Sequence, residues 1–228
     1  MANVDGVKIR PARIEDLAEP ARWMQENHWN ADKELLEMYL RVYGDKGIVA
    51  VDDSDRPIGF AQWCDINPSL GIGTRIIVRD DMRNRGIARQ LVAASKTCLG
   101  DRNLMVNSVD AIAGLYKDKC GYKHEGYAIG IYNGIVNSEI TLEPAIFDGS
   151  VIIGDSTHMD DVIAYDEAIT AGYQGYSRRR FLEENGNRDS DIFLIAKIGG
   201  NACGYLTVRG AGHVFIVAPF MANTNLMR

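Results

Sequence analysis

The chain has 228 residues, which is long for one compact domain and short for two domains of ordinary size. Hydrophobic residues make up 46% and charged residues 25%, a globular composition that excludes disordered, collagen-like and coiled-coil proteins. The net charge of −6 argues against a basic nucleic-acid-binding surface, so we expect no nucleic-acid partner.

The cysteine pattern and the hydropathy pattern exclude two further classes. The four cysteines stand far apart without metal-ligand spacing, which disfavours a disulfide framework and a metal site. No segment approaches the ~18 consecutive apolar residues of a membrane span. We therefore expect a cytoplasmic protein without a membrane partner.

The first part of the chain predicts strands and helices of a mixed α/β (α+β) fold. In chain order these are a strand at 7–10, a helix from Ile14, a helix over Lys33–Tyr43, a hairpin of Ile48–Val51 with Ile58–Cys64, a strand over Ile72–Val78, a helix from Ile87, a strand over Leu104–Val109, a helix over Ala111–Lys119 and a hairpin of Tyr127–Tyr132 with Val136–Leu142.

After Pro144 a similar succession is predicted, namely strand, helix, helix and three strands. The predicted elements are Val151–Ile153, Met159–Ala171, Arg178–Glu184, Ile192–Lys197, Cys203–Arg209 and His213–Val217. We expect a complete unit over 1–142 and a partial, divergent copy over 143–228.

The turn between the strand Ile72–Val78 and the helix from Ile87 has the composition of an anion site. A helix N-terminus presents unpaired backbone N–H groups, and Gly86 and Ala88 lack bulk where a ligand approaches the main chain. Arg83, Arg85 and Arg89 add positive charge. The pattern is consistent with a diphosphate cradle or with an ordinary solvated turn.

Motifs and element order together resemble the GNAT family of acetyl-CoA-dependent N-acetyltransferases over about residues 7–142. The turn Arg83-x-x-Gly86-x-Ala88 matches the family motif, and Ala113 and Tyr116, followed by Gly121-Tyr122, are similar to its later helix. The sequence departs from the family at Val109, where an Asn is usual. The resemblance implies a mixed, largely antiparallel sheet flanked by helices.

The resemblance also implies a site for acetyl-CoA, with no metal. The strand end Ile76-Ile77-Val78 would splay from its neighbour and bind the pantetheine arm, with the N–H of Val78 donating to the thioester oxygen. The diphosphate would bind the turn and helix start, whose residues are Arg83, Asn84, Arg85, Gly86, Ile87, Ala88 and Arg89.

Two residues are the candidates for acid-base catalysis. Tyr116 would protonate the leaving thiolate, or it is a packed core tyrosine. Asp65 would accept a proton from the amine, or it only ends a strand. The segment from Glu26 to Asn30 would border the acceptor groove, while Trp23 and Trp29 are equally consistent with core packing.

The second part resembles the divergent C-terminal half of tandem GNAT proteins, through looser motifs such as Arg178-x-x-Phe181 and Gly204-Tyr205. Nothing in it matches the 83–91 turn and helix, so we expect one coenzyme site. This half would wall the acceptor groove, or the chain is a fragment of a longer one. Arg178–Arg180 is consistent with an anion site or, better, with a helix start containing one structural Arg.

These expectations define two functions. The first is acetyl transfer from acetyl-CoA to a primary amine of unknown identity, by direct attack in a ternary complex. The second is a non-catalytic acetyl-CoA-binding or scaffold protein of the same fold. An incomplete second sheet would leave an edge that a homodimer or another partner covers.

Overall fold

A computed structural model places the elements of the chain in two β-sheets, each with helices packed on it. The structure describes residues 6–126, 134–135, 149–170, 178–186, 191–211 and 214–223. The hairpin predicted at Tyr127–Tyr132 and Val136–Leu142, and the boundary predicted between 142 and 143, lie outside these residues.

The first sheet has five strands in the order β1-β2-β3-β4-β5. Its elements are β1 (Lys8–Pro11), α1 (Ala18–Glu26), α2 (Lys33–Tyr43), β2 (Gly47–Val51), β3 (Pro57–Asn67), β4 (Leu70–Val78), α3 (Ile87–Leu99), β5 (Asn103–Val106) and α4 (Asp110–Cys120). All neighbouring strands are antiparallel except β4 and β5, which are parallel. The predicted mixed, largely antiparallel sheet is confirmed.

Local signals in the sequence fix where the first two helices begin. Asp32 precedes α2, and its Oδ1 accepts the Leu35 N–H at 2.7 Å, which satisfies one of the orphan donors of the first turn. Pro20 lies in the first turn of α1, where its missing N–H costs no helical hydrogen bond.

Helices cover both faces of the first sheet. On one face, α1 and α2 bury Met24 and Leu36 against Phe60 and Ile77. On the other, α3 and α4 pack against a cluster that contains Trp63, Ile87, Leu91, Val78 and Tyr116. The two strands that carry the predicted site, β3 and β4, are therefore held from both sides.

The second sheet has four antiparallel strands in the order β6-β7-β8-β9. Its elements are β6 (Ser150–Ile153), α5 (Met159–Thr170), α6 (Arg179–Gly186), β7 (Ile192–Ile198), β8 (Asn201–Ala211) and β9 (Val214–Ala222). The predicted succession of strand, helix, helix and three strands is present, with β9 longer than predicted.

The second sheet packs α5 and α6 on one of its faces, where Val162 and Leu182 contact Phe193 and Ile195. Helix α6 also contacts α2 of the first unit. The ring of Phe181 meets that of Tyr39 edge-on at a centroid distance of 6.1 Å, and Arg41 Nε lies 2.8 Å from Glu184 Oε2.

Candidate functional site at the open edge of strand β4

The strands β4 and β5 part after a short paired stretch. Residues Leu70–Gly73 pair with Asn103–Val106, where β5 ends. The following five residues of β4, 74–78, have no partner in β5. This part of β4, which we call the open edge, borders the space beyond the end of β5, which we call the gap. The resemblance to GNAT proteins implied a strand end that parts from its neighbour here.

A β-bulge lies where the two strands part. Trp63 pairs with Gly73 and Gln62 with Arg75, so Thr74 is an extra residue in β4. A bulge bends its strand and increases the local twist, and bulges are frequent beside active sites. The bulge lies directly after the last residue of β4 that pairs with β5.

The main-chain groups of Ile76 and Val78 face the gap. Arg79 N–H donates to the Ile58 carbonyl at 3.0 Å, and Val78 lies opposite Gly59 in the same ladder. Because the direction of main-chain groups alternates along an antiparallel pair, Ile76 and Val78 present N–H and C=O to the open edge.

The third predicted strand residue, Ile77, points its main-chain groups toward β3 and packs its side chain against α1 and α2. Of the two residues that face the gap, Ile76 lies nearer the point where the strands part. It is three residues from Gly73, about 10 Å along the strand, whereas Val78 is about 17 Å away.

The turn before α3 has the backbone of an anion cradle. Asn84 and Gly86 both have positive φ, of 62° and 82°, which is costly for Asn84 and free for glycine. Gln90 N–H donates to the Gly86 carbonyl at 3.1 Å, so Ile87, Ala88 and Arg89 hold the first N–H groups without an acceptor inside the helix. Such N–H groups bind phosphate groups well.

The arginines of this turn divide into two roles. The Arg83 guanidinium donates to the Val78 carbonyl at 3.2 Å and to Asn27 Oδ1 at 3.0 Å, and it lies 2.6 Å from Asp80. Arg83 therefore ties the turn to the end of β4 and to the end of α1. Arg85 donates to the Asp81 carbonyl at 3.2 Å. The side chains of Arg85 and of Arg89 on α3 are exposed, so they add positive charge at the surface of the turn.

Tyr116 lies in the cluster between α4, α3 and the sheet that also contains Val78. Its side chain is buried, and its ring meets that of Tyr122 edge-on at 5.7 Å. Burial raises the pKa of the Tyr116 hydroxyl, and the nearby Cys120 adds to the effect. The phenol is therefore kept in the protonated form that an acid needs, on the same face as the Val78 side chain.

The structure does not bring Asp65 to the open edge. Asp65 lies opposite Gly71, in the stretch of β4 that β5 still pairs, about 23 Å of strand from Val78. Its Oδ2 lies 3.2 Å from Lys46 Nζ, and its Oδ1 lies 3.8 Å from Arg102 Nε. Asp65 is therefore held between Lys46 and Arg102 near the start of β4, whereas the open edge is at the end of β4.

The connection between α1 and α2 separates the two tryptophans that the sequence grouped together. Trp23 is buried in the core between the helices and the sheet, and Trp29 is 39% exposed. Asn27 donates to the Trp23 carbonyl at 2.8 Å and accepts from Arg83, so this connection is held against the 83–86 turn. No local sequence signal predicts that contact, because 56 residues separate the two partners.

Arg75 is a residue of this region that sequence reasoning missed. It is the only charged residue of β4, a signal visible in the sequence, and it is half-buried. Its guanidinium carbon lies 4.3 Å above the centre of the Tyr39 ring of α2. Arg75 therefore lies on the face of the sheet opposite to Tyr116.

In the second unit, Arg178 pairs with the fully buried Asp166. Arg178 Nε donates to Asp166 Oδ2 at 3.2 Å, a second guanidinium nitrogen contacts Oδ1, and the Tyr205 hydroxyl donates to Oδ1 at 2.6 Å. This arrangement agrees with the structural Arg that the sequence favoured over an anion site.

Comparison with known proteins agrees with this geometry. Residues 44–124, which include β2 to α4, match the acetyltransferase (GNAT) domain. The chain therefore contains a GNAT acetyltransferase domain. No curated protein matches the chain.

Solved structures share the fold of this chain over nearly its whole length. A Pyrococcus horikoshii protein assigned as an acetyltransferase is 17% identical with a TM-score of 0.67, and the match covers 98% of this chain and 74% of that one. A GCN5-related N-acetyltransferase from Sphaerobacter thermophilus is 13% identical with a TM-score of 0.56, covering 97% and 77%. At these identities the likeness concerns the fold.

Two further findings concern the part of the chain that the structure describes. No helix there is long and apolar enough to cross a membrane. Within the same ranges, no group of His, Cys, Asp and Glu residues is arranged to hold a metal ion. The four cysteines are free thiols.

Proposed function

We propose that the protein transfers an acetyl group from acetyl-CoA to a primary amine by direct attack within a ternary complex. The observation that carries the proposal is the continuity between the open edge of β4 and the N-terminus of α3, which begins nine residues after Val78. A single extended ligand with a diphosphate at one end fits this combination of an unpaired strand edge and an anion cradle.

The residues present fit the coenzyme. The main chain of Ile76 and Val78 would pair with the amide groups of the pantetheine arm. The N–H groups from Asn84 to Arg89 would bind the diphosphate, with the side chains of Arg85 and Arg89 adding positive charge near it. Arg83 would hold the turn in place through its bonds to Val78 and Asn27.

The thioester supplied by the coenzyme is the electrophile, and the chain would stabilise its oxygen as charge develops there. An N–H group that faces the gap from a fixed strand is preorganised for that hydrogen bond. The resemblance to GNAT proteins implied Val78 as this donor. Ile76 presents an N–H group to the same edge and lies nearer the point where the strands part.

Tyr116 would supply the proton that the leaving thiolate takes up. In the transfer, the ammonium form of the amine first loses one proton to water, and the neutral nitrogen forms a bond to the acetyl carbon. The bond from that carbon to sulfur then breaks as the phenol protonates the sulfur, and the second proton lost by the nitrogen returns through water to the Tyr116 phenolate. The buried phenol, whose pKa is raised, stays protonated at neutral pH and can donate to the sulfur. We assign no base, because Asp65 lies away from the open edge.

The second candidate is a coenzyme-binding protein without catalysis, favoured by the position of Asp65 beside Lys46. One experiment separates the two functions. Acetyl-CoA is added to the protein, the melting temperature is measured, and free thiol is followed with a panel of primary amines. Catalysis predicts stabilisation together with amine-dependent thiol release. Stabilisation without thiol release from any amine would contradict the enzyme and favour the binding protein.

A further inference from the structure

Arg75 has an unusual position for a charged residue. It lies in β4 directly after the bulge residue Thr74, two residues beyond Gly73, where β4 leaves β5. Its guanidinium stacks on the Tyr39 ring, and Nη1 donates to Thr74 Oγ1 at 3.3 Å. The cation is therefore fixed at the inner end of the gap.

The charge of Arg75 is not neutralised by a carboxylate among the described residues. Neighbouring arginines are paired, with Arg79 Nε at 2.6 Å from Asp81 and Arg83 Nη2 at 2.6 Å from Asp80. A stacked guanidinium keeps its in-plane N–H donors, which match the two oxygens of a carboxylate. The half-buried Arg75 guanidinium, which has no carboxylate partner among the described residues, can therefore bind an anionic ligand.

The two faces of the gap have different chemistry. Tyr116 and the start of α3 lie on one face, with the side chain of Val78. Arg75 and Tyr39 lie on the other, with the side chain of Ile77. If the coenzyme sulfur lies beside Tyr116, the acceptor approaches the thioester from the face that Arg75 occupies.

We propose that Arg75 binds a carboxylate of the acceptor, so that the substrate is a primary amine that also carries a carboxylate, such as an α-amino acid. In such a molecule one carbon separates the two groups, and anchoring the carboxylate holds the amine beside the open edge. The inference rests on the proposed function. It runs against the net charge of −6, which by itself favours cationic amines.

The test compares α-amino acids with their primary amides, which lack the carboxylate but keep the amine. The amide has the more reactive amine at neutral pH, so a preference for the acid must come from the protein. We expect kcat/KM for the acid to exceed that for the amide at least ~10-fold, and Arg75→Met to remove the preference while leaving acetyl-CoA affinity unchanged. Arg56→Met, at an exposed turn between β2 and β3, is the matched control.

Equal rates with acid and amide in the wild type, or an equal loss with both in Arg75→Met, would overturn the inference and leave the proposed function intact. If no amine of either set causes thiol release, while acetyl-CoA still stabilises the protein, the proposed function itself is contradicted. Arg75→Lys keeps the charge but loses the paired donors, and we expect it to restore only part of the preference.

An independent observation concerns the face of the second sheet opposite to α5 and α6. Directly opposed residues share a face, so Ile153, Leu194, Leu206 and Phe220 form one row across all four strands. A second row contains Ile192, Val208 and Val217, and the face is completed by Val151 and Phe215. We call these nine residues the apolar sheet face.

The apolar sheet face is exposed to an extent that soluble monomers rarely show. Phe215 is 80% exposed and Ile153 is 75% exposed. The six most exposed of its side chains present roughly 700 Å² of apolar surface, close to the ~800 Å² that each partner buries in a stable interface. The paired positions of this face contain no charged residue.

We propose that the apolar sheet face binds the same face of a second copy of this chain. Two twisted sheets pack face to face at about 10 Å, and a symmetric contact needs only a self-complementary surface. The area and the absence of charge are those of a homodimer interface rather than of a transient contact.

Light scattering after size exclusion, over a range of protein concentrations, tests the dimer. We expect a dimer for the wild type, a monomer for Phe215→Lys, and a dimer for Ile14→Lys, which changes an exposed apolar residue of the first unit. Circular dichroism of each variant checks that it folds. A monomeric wild type that binds a hydrophobic dye, or a dimer in both variants, would overturn the proposal.

Discussion

Gly73 lies against the indole of Trp63 so closely that a Cβ on this glycine would come within 2.5 Å of the ring atom Cζ3. The same glycine pairs with Trp63 in β3 and with Val106, the last residue of β5. The contact therefore fixes the position at which the gap between β4 and β5 begins.

Gly73→Ala should disturb that position. The added methyl group must displace the Trp63 ring or the strand, and we expect a loss of about 1–3 kcal/mol in the free energy of unfolding, with weaker acetyl-CoA binding. Urea unfolding and calorimetric titration measure both effects. Gly114→Ala is the control, because its Cβ would meet no atom closer than 3.9 Å and alanine favours a helix. Equal stability of Gly73→Ala and wild type would contradict the packing described.

Removing the hydroxyl of Tyr116 should slow the acetyl transfer without weakening the binding of acetyl-CoA. We expect kcat of Tyr116→Phe to fall ~10²-fold or more, with little change in acetyl-CoA affinity, because the phenol acts only as the bond to sulfur breaks. Tyr122→Phe is a close control, since the buried Tyr122 hydroxyl has no hydrogen-bond partner among the described residues and its loss should leave the rate unchanged. A full rate in Tyr116→Phe would return Tyr116 to a packing role.

The pH dependence of kcat gives a second measurement of that acid. Burial raises the pKa of Tyr116 above its usual value near 10, so the phenol is protonated throughout the neutral range and loses its proton only above ~10. The rate of thiol release should therefore not decline from pH 7 to pH 9 through this group. A decline centred near pH 8 that disappears in Tyr116→Phe would contradict the raised pKa.

Much of the fold follows from local sequence signals. The bounds of α2 were predicted at Lys33–Tyr43 and confirmed, because the Asp32 cap, the apolar spacing and the following Gly44 all act within one helix. The start of α3 was predicted at Ile87 for the same reason. The open edge was implied by the GNAT resemblance and agrees with the strand pairing.

Features that depend on long-range pairing were not predicted. The bulge at Thr74 exists only through the register of β3, and the partners of Asp65 come from two other elements. The strand β9 was predicted over His213–Val217, which ends it two residues before Pro219. In the structure Ala218 and Pro219 together oppose the single residue Thr207, and the strand continues through that bulge.

The buried carboxylate of the second unit should be essential to its stability. Asp166→Ala leaves the Arg178 guanidinium and the Tyr205 hydroxyl without their shared acceptor, and we expect a loss of about 3 kcal/mol in the free energy of unfolding. Asp160→Ala, on the same helix but 95% exposed, should change stability little. Equal unfolding midpoints for both variants would contradict the structural role of Asp166.

The central claim, one acetyl-CoA site formed by the open edge of β4 and the 83–86 turn, is tested most directly by calorimetric titration of two glycine variants. Gly86→Glu and Gly100→Glu each place a charged side chain at a glycine of positive φ, which is 82° at Gly86 and 63° at Gly100. The two glycines flank α3, one directly before its first residue and one directly after its last. We predict one site per chain in the wild type, no binding in Gly86→Glu, and near-normal affinity in Gly100→Glu. Unchanged affinity in Gly86→Glu, or two sites per chain in the wild type, would contradict the account.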